Sequence, residues 1–172
     1  MSKTGFRRRR LAAILVAATA ATLTATPALA ATGPSMTANH GSVNIAVPGP
    51  HNSLRFYWAV NGTATWHPET IAGAGSTFSA ASMTVNGNSV NIAAQGPGHS
   101  LAFYWAVNGT ATWHPETIAG PGSTYSAPTM TVNDNSVNIA AVGTADRLKF
   151  YWAVNGTATW HPETVAGPGS VR

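Results

Sequence analysis

"FYWAVNGTATWHPET" begins at Phe56, returns at Phe103 and returns again at Phe150, with no letter changed. Around it three units, 35–81, 82–128 and 129–172, align without a gap at a period of 47 residues. A period of this length marks stacked or radial architectures, in which no unit buries its own apolar surface and each packs on its copy. The near-identity of the copies reads as recent duplication, so an unchanged residue is not for that reason a functional one.

Extended outward, the quoted stretch fixes the fold of the unit. In the second copy Leu101, Phe103, Trp105 and Val107 alternate with Ala102, Tyr104 and Ala106, the period of two that belongs to a strand. Asn108-Gly109 is a strong hairpin signal, and "TATWHPETIAG" after it reads as a fourth strand. Upstream, "SMTVN" and "SVNIAAQ" alternate in the same way, with Gly87-Asn88 as the turn between them and "GPGHS" as the turn that follows. Pro115 cannot donate to a sheet ladder and is tolerated at an edge, so the fourth strand should be outermost. A short inner strand, two apolar middle strands and a Pro-bearing outer strand describe one blade of a β-propeller. The expected fold is all-β, with three tandem four-stranded antiparallel blades. A β-trefoil is the rival, since it too has three repeats and twelve strands, but its usual Gln-x-Trp signature is absent.

The first thirty residues read differently. Lys3 and Arg7 to Arg10 precede an apolar run over 11–23, and "TPALA" ends at Ala30. A basic head, a short apolar stretch and an Ala-x-Ala site predict a secretory signal peptide over 1–30, with the mature chain starting at Ala31. The paired arginines also allow twin-arginine export. The apolar run is short for a membrane span, so no membrane association is expected after cleavage.

Removing that segment reverses the charge argument. The whole chain carries a formal +4, but five of its nine basic residues lie in the first ten positions. The remainder keeps four basic residues against five acidic ones, a net of −1. A near-neutral chain lacks the basic patch that phosphate neutralisation needs, so nucleic acid is not an expected partner. There is no cysteine, which excludes disulfides and thiol chemistry and leaves burial to hold the fold.

The strand order "TVN", "SVNIAA", "SLAFYWAVNG", "TWHPETIAG" resembles the blades of secreted β-propeller lectins, including tectonin and tachylectin-like repeats and bacterial fucose-binding propellers. The resemblance covers the whole mature chain. It implies non-catalytic sugar binding in shallow pockets between blades, built from Trp or Tyr platforms and a few polar groups. Related propellers close with five to seven blades, whereas this chain has three. That difference implies closure by self-association, most simply a homodimer forming a six-bladed ring, because apolar faces of blade size are rarely left in water.

Within the repeat the candidate ligand contacts are Tyr57, Trp66, His67 and Glu69, with their copies Tyr104, Trp113, His114 and Glu116, and Tyr151, Trp160, His161 and Glu163. The tyrosines neighbour a position that is Arg55, Ala102 or Lys149, a variation that predicts partial exposure. Tyr and Trp suit sugar contact because each joins an apolar face to a polar handle. Trp58, Trp105 and Trp152 share a face with Phe and Leu and are expected in the packing between blades. His and Glu have a structural alternative, hydrogen bonding within or between blades. A metal is not expected, because outer-strand histidines of separate blades do not converge. Neither is hydrolysis, since a glycosidase needs two neighbouring carboxylates and each unit carries one glutamate, the two aspartates sitting in turns. No cofactor is expected. Asn61-Gly62-Thr63 and its copies match a glycosylation sequon but are explained as turns. The sequence therefore points to a secreted lectin-like binding protein, the alternative being a structural or surface-interaction repeat protein with no small ligand.

Overall fold

The computed structural model describes residues 33–171, so the signal peptide expected over 1–30 lies outside the described residues. Among the described residues twelve strands form three separate four-stranded antiparallel sheets. Blade 1 comprises β1 (Ser35–Asn39), β2 (Ser42–Gly49), β3 (Ser53–Val60) and β4 (His67–Ala72). Blade 2 comprises β5 (Ser82–Asn86), β6 (Ser89–Gln95), β7 (Leu101–Val107) and β8 (His114–Ala119). Blade 3 comprises β9 (Thr129–Asn133), β10 (Ser136–Gly143), β11 (Arg147–Val154) and β12 (His161–Ala166). Each sheet runs in sequence order, with the Pro-bearing strand at one edge. No helix among the described residues is long and apolar enough to cross a membrane.

The register explains how the blades stack. Ile92 lies opposite Tyr104, and Ala94 opposite Ala102, so one face of blade 2 carries β-branched residues on β6 and mainly small ones on β7. Ala93 lies opposite Phe103 and Asn91 opposite Trp105, which gives the other face small residues on β6 and large ones on β7. Large therefore meets small when like blades stack. Leu54 and Phe56 of blade 1 pack with Val90, Ile92 and Tyr104 of blade 2. Leu101 and Phe103 of blade 2 repeat the contact with Val137, Ile139 and Tyr151 of blade 3. Leu54, Ile92, Leu101 and Ile139 have no exposed surface at all.

Inner strands of successive blades are joined through serine hydroxyls. The Met83 N–H donates to Ser35 Oγ at 3.0 Å, and the Met130 N–H to Ser82 Oγ at 2.9 Å. On the far side, the linker leaving each blade pairs with the next, as Phe78 N–H to the Gln95 carbonyl and Tyr125 N–H to the Val142 carbonyl. The β2–β3 turn and its copies place two successive residues in the left-handed region, among them Ala145 at φ 58° and Asp146 at φ 54°.

Two sequence expectations need correction. The fourth strand does not begin at "TATW": Thr110 turns its N–H and its hydroxyl back onto the Val107 carbonyl, and the strand starts at His114. The segment between them is a loop that carries Trp113 out of its own sheet. The second correction concerns Tyr104 and Tyr151, expected to be partly exposed. They are 6% and 3% exposed, because the preceding blade covers that face. The neighbouring position tolerates Arg, Ala and Lys for another reason. Arg55 and Lys149 run their stems along the sheet and end on the exposed hydroxyls of Thr70 and Thr164, so their charged tips reach solvent while the tyrosine beside them stays covered in blade 3. Burial pushes the hydroxyls of Tyr104 and Tyr151 above the ordinary phenol pKa.

Candidate functional site

Two equivalent pockets open between neighbouring blades. The first, about 350 Å³, lies between blades 1 and 2 and is lined by Phe56, Trp58, Glu69 and Asn44 on one side and by Val90, Ala106, Trp113 and the 107–111 loop on the other. The second, about 280 Å³, repeats it between blades 2 and 3 with Phe103, Trp105, Glu116 and Asn91 facing Val137, Ala153, Trp160 and the 154–158 loop.

A carboxylate organises each pocket. Glu69 accepts the indole N–H of Trp58, from its own blade, on Oε1 and that of Trp113, from the next blade, on Oε2, both at 2.9 Å. Glu116 does the same for Trp105 at 2.9 Å and Trp160 at 3.0 Å. Charge assistance makes such bonds stronger than neutral ones, so each glutamate pins two aromatic walls at once. Trp113 further sets its edge against Phe56 at a centroid distance of 5.0 Å, and Trp160 against Phe103 at 5.1 Å. The histidines of the three WHPET segments do not line the pockets, whereas His40 lines the first. His67, His114 and His161 stack behind Trp58, Trp105 and Trp152 at 4.1, 4.1 and 4.2 Å, fixing the planes of those rings from outside.

The expected site residues are thus regrouped. Trp113 works with Glu69 of the preceding blade and not with Glu116 of its own repeat. Tyr104 and Tyr151 belong to the blade-to-blade core, while Tyr104 also borders a shallower groove of about 450 Å³ with Pro115, Glu116 and Thr117. Tyr57 is half-buried on a face with no blade against it among the described residues. Trp58 and Trp105, read from the sequence as packing residues, do pack against the blade-to-blade cores and also form half-buried pocket walls. Their cross-strand pairing with His67 and His114 was the available signal, since it brings a Trp, a His and a Glu of one hairpin to the same edge. Asn44 and Asn91 were missed altogether. They are 2% and 4% exposed, line the pockets, and their amide nitrogens have no acceptor among the described residues.

Chemically, each pocket offers aromatic surface, one carboxylate and one buried amide; the first also has the His40 imidazole, and neither has a Lys or Arg in its lining. Among the described residues no three His, Cys, Asp or Glu lie close enough together to hold a metal ion.

Comparison with solved structures then places the architecture. BP39L lectin from Burkholderia pseudomallei superposes with a TM-score of 0.73 at 22% identity, over 82% of this chain and 43% of that one. The fold is that of a β-propeller, left open at three blades. A fucose lectin from Kordia zhangzhouensis, solved with methyl-fucoside, matches with a TM-score of 0.56 at 13% identity, over 78% of this chain and all of that one. A variant of Aleuria aurantia lectin, solved with α-methyl-L-fucoside, matches with a TM-score of 0.60 at 16% identity, over 82% of this chain and 47% of the other. The matched part of this chain therefore spans less than half the length of the Burkholderia and Aleuria lectins. No protein-family model matches the sequence, and no curated protein matches it either.

Proposed function

We propose that this chain is a secreted, non-catalytic carbohydrate-binding protein that holds one sugar weakly in each inter-blade pocket, associates with itself, and gains strength by presenting several pockets together. The observation that carries this reading is the repeated pocket in which one glutamate orients two tryptophans over an apolar floor. Rigid aromatic faces suit the apolar side of a pyranose, and the buried amides of Asn44 and Asn91 supply a polar point at the base. The likeness to lectins solved with methyl-fucosides makes L-fucose the first sugar to try. Single pockets of this size bury little surface, so useful affinity would come from several engaged at once on a multivalent glycan.

A second reading has its own support. Both oxygens of Glu69 and of Glu116 are already taken by indoles, as a purely structural clamp would require. A glycan array followed by tryptophan-fluorescence titration with α-methyl-L-fucoside separates the two. The expected result is saturable binding of neutral sugars, with sialic and uronic acids rejected by a carboxylate-bearing pocket that has no Lys or Arg. Failure of every glycan on the array leaves the structural reading.

A further inference from the structure

The two pockets share a pattern that the outer faces of the blade row carry in halves. Glu163 accepts the Trp152 indole on Oε1 at 2.8 Å, as its counterparts do, but no second indole reaches Oε2 among the described residues. At the other end Trp66 is 47% exposed, whereas its copies Trp113 and Trp160 are half-buried against a phenylalanine and a glutamate. The missing donor and the idle acceptor are the same pair of groups that meet at both pockets within the chain.

The surfaces around these two groups match as well. Met36 is 69% exposed where its copy Met83 is 8% exposed, and Tyr57 is half-buried where Tyr104 is 6% exposed. On the opposite face Phe150 is half-buried where Phe103 is 4% exposed. The two end faces are therefore the two halves of an interface that the chain already makes twice, with the same Trp, Tyr, Phe and Glu at the contact and with Val47 and Arg55 standing where blade 2 has Ala94 and Ala102. A head-to-tail contact of this kind repeats, and it makes a ring where the rotation between copies closes. Three blades align with 43% and 47% of two propeller lectins, so two sets of three blades come close to the length of chain those folds hold.

We propose that two copies of this chain join head to tail, and that each junction builds a further pocket to which Trp66 of one copy and Trp152 with Glu163 of the other contribute. Trp66 donates to Glu163 Oε2 and sets its edge on Phe150, as Trp113 does on Phe56. The junction pocket takes the same ligand class as the two within the chain, a neutral sugar. That last statement rests on the function proposed above, whereas the assembly and its indole contact do not.

The test uses the full chain. Light scattering with size exclusion at about 100 μM reads the mass, and ¹⁵N-indole spectra with hydrogen exchange read each tryptophan N–H. The expected result is a two-chain mass with all six indole N–H groups protected. Trp66→Ala and Glu163→Gln should each weaken the assembly at least tenfold and release it to single chains on dilution. Glu163→Gln retains an acceptor for Trp152 at an exposed position, so single chains of that variant stay folded. Titration with α-methyl-L-fucoside should saturate at three sites per chain in the assembly and two per chain in dissociated Trp66→Ala. Assembly without fucoside binding defeats the sugar reading and leaves the junction standing. A single-chain mass at this concentration overturns the proposal. So does a two-chain mass that both substitutions leave unchanged.

Discussion

Glu69→Gln isolates the clamp. Glutamine keeps the shape of the side chain but replaces one acceptor oxygen with an amide that donates. Either the Trp58 or the Trp113 indole then keeps an acceptor without its charge, and the other faces a donor. Loss of a charge-assisted bond and creation of an unpaired donor each cost about 1 to 3 kcal/mol when fully buried. Glu69 is half-buried, so water takes up part of the loss, and a total of about 2 kcal/mol is expected. For a folded unit of this size that corresponds to roughly 6 °C in Tm. Glu116→Gln should match it, because its two indoles sit at the same distances within 0.1 Å. Glu163→Gln provides the control. That carboxylate is exposed and holds one indole, so the amide oxygen takes over with a loss below about 0.5 kcal/mol in the single chain. Thermal melts followed by near-UV circular dichroism, at dilutions where chains are single, read all three. A Glu69→Gln chain melting within about 1 °C of the parent, or Glu163→Gln costing as much as Glu69→Gln, would refute the idea that the paired indoles make the difference.

Trp113→Ala removes one wall of the first pocket together with its edge contact on Phe56, and should cost about 2 kcal/mol while leaving the chain folded. Titration of the variant should find one site fewer per chain, with the Trp160 pocket unaffected. Burial raises the pKa of Tyr104 and Tyr151 above 10.0, so the folded chain holds protons that the unfolded chain releases. Stability should therefore be flat below about pH 9.5 and fall as pH rises past 10 toward the raised values, a slope that Tyr104→Phe and Tyr151→Phe flatten in pH-dependent melts. Ala145 sits at φ 58°, where its copy in blade 2 is Gly98 at φ 62°, and Ala145→Gly should stabilise by about 0.5 kcal/mol. An unchanged or lower Tm for that variant would show that the strain at this turn is offset elsewhere.

The blade was legible in the sequence because strand period, turn chemistry and the edge rule for proline all act within one unit. Pro68, Pro115 and Pro162 on β4, β8 and β12 lie on edge strands for the reason the sequence suggests: a residue without an N–H interrupts no ladder there. What eluded the sequence acts between units. Alternation sorts residues into two faces, but in a stack both faces are buried, so polarity no longer says which one meets solvent. Tyr104 was misplaced on that account, since its apparent outward face is the one that blade 1 covers. The 110–113 segment misled in a local way. Thr-Ala-Thr has the composition of a strand, yet the Thr110 hydroxyl closes back on Val107 and the backbone leaves the sheet.

That departure is also what makes the site. Because the loop swings Trp113 away from its own blade, its indole reaches a glutamate 44 positions earlier, while the second indole on that glutamate comes from 11 positions earlier. Neither spacing is a motif on its own, and together they span more than one repeat. A pocket assembled from two consecutive copies exists wherever two blades are stacked, so a row of three blades holds two such pockets. Identity of the copies then has a physical consequence beyond ancestry. Every blade must present both the donor half and the acceptor half of the same contact, so Trp113 and Glu116 each answer to a different neighbour, and a change in either alters a pocket on one side of the blade only.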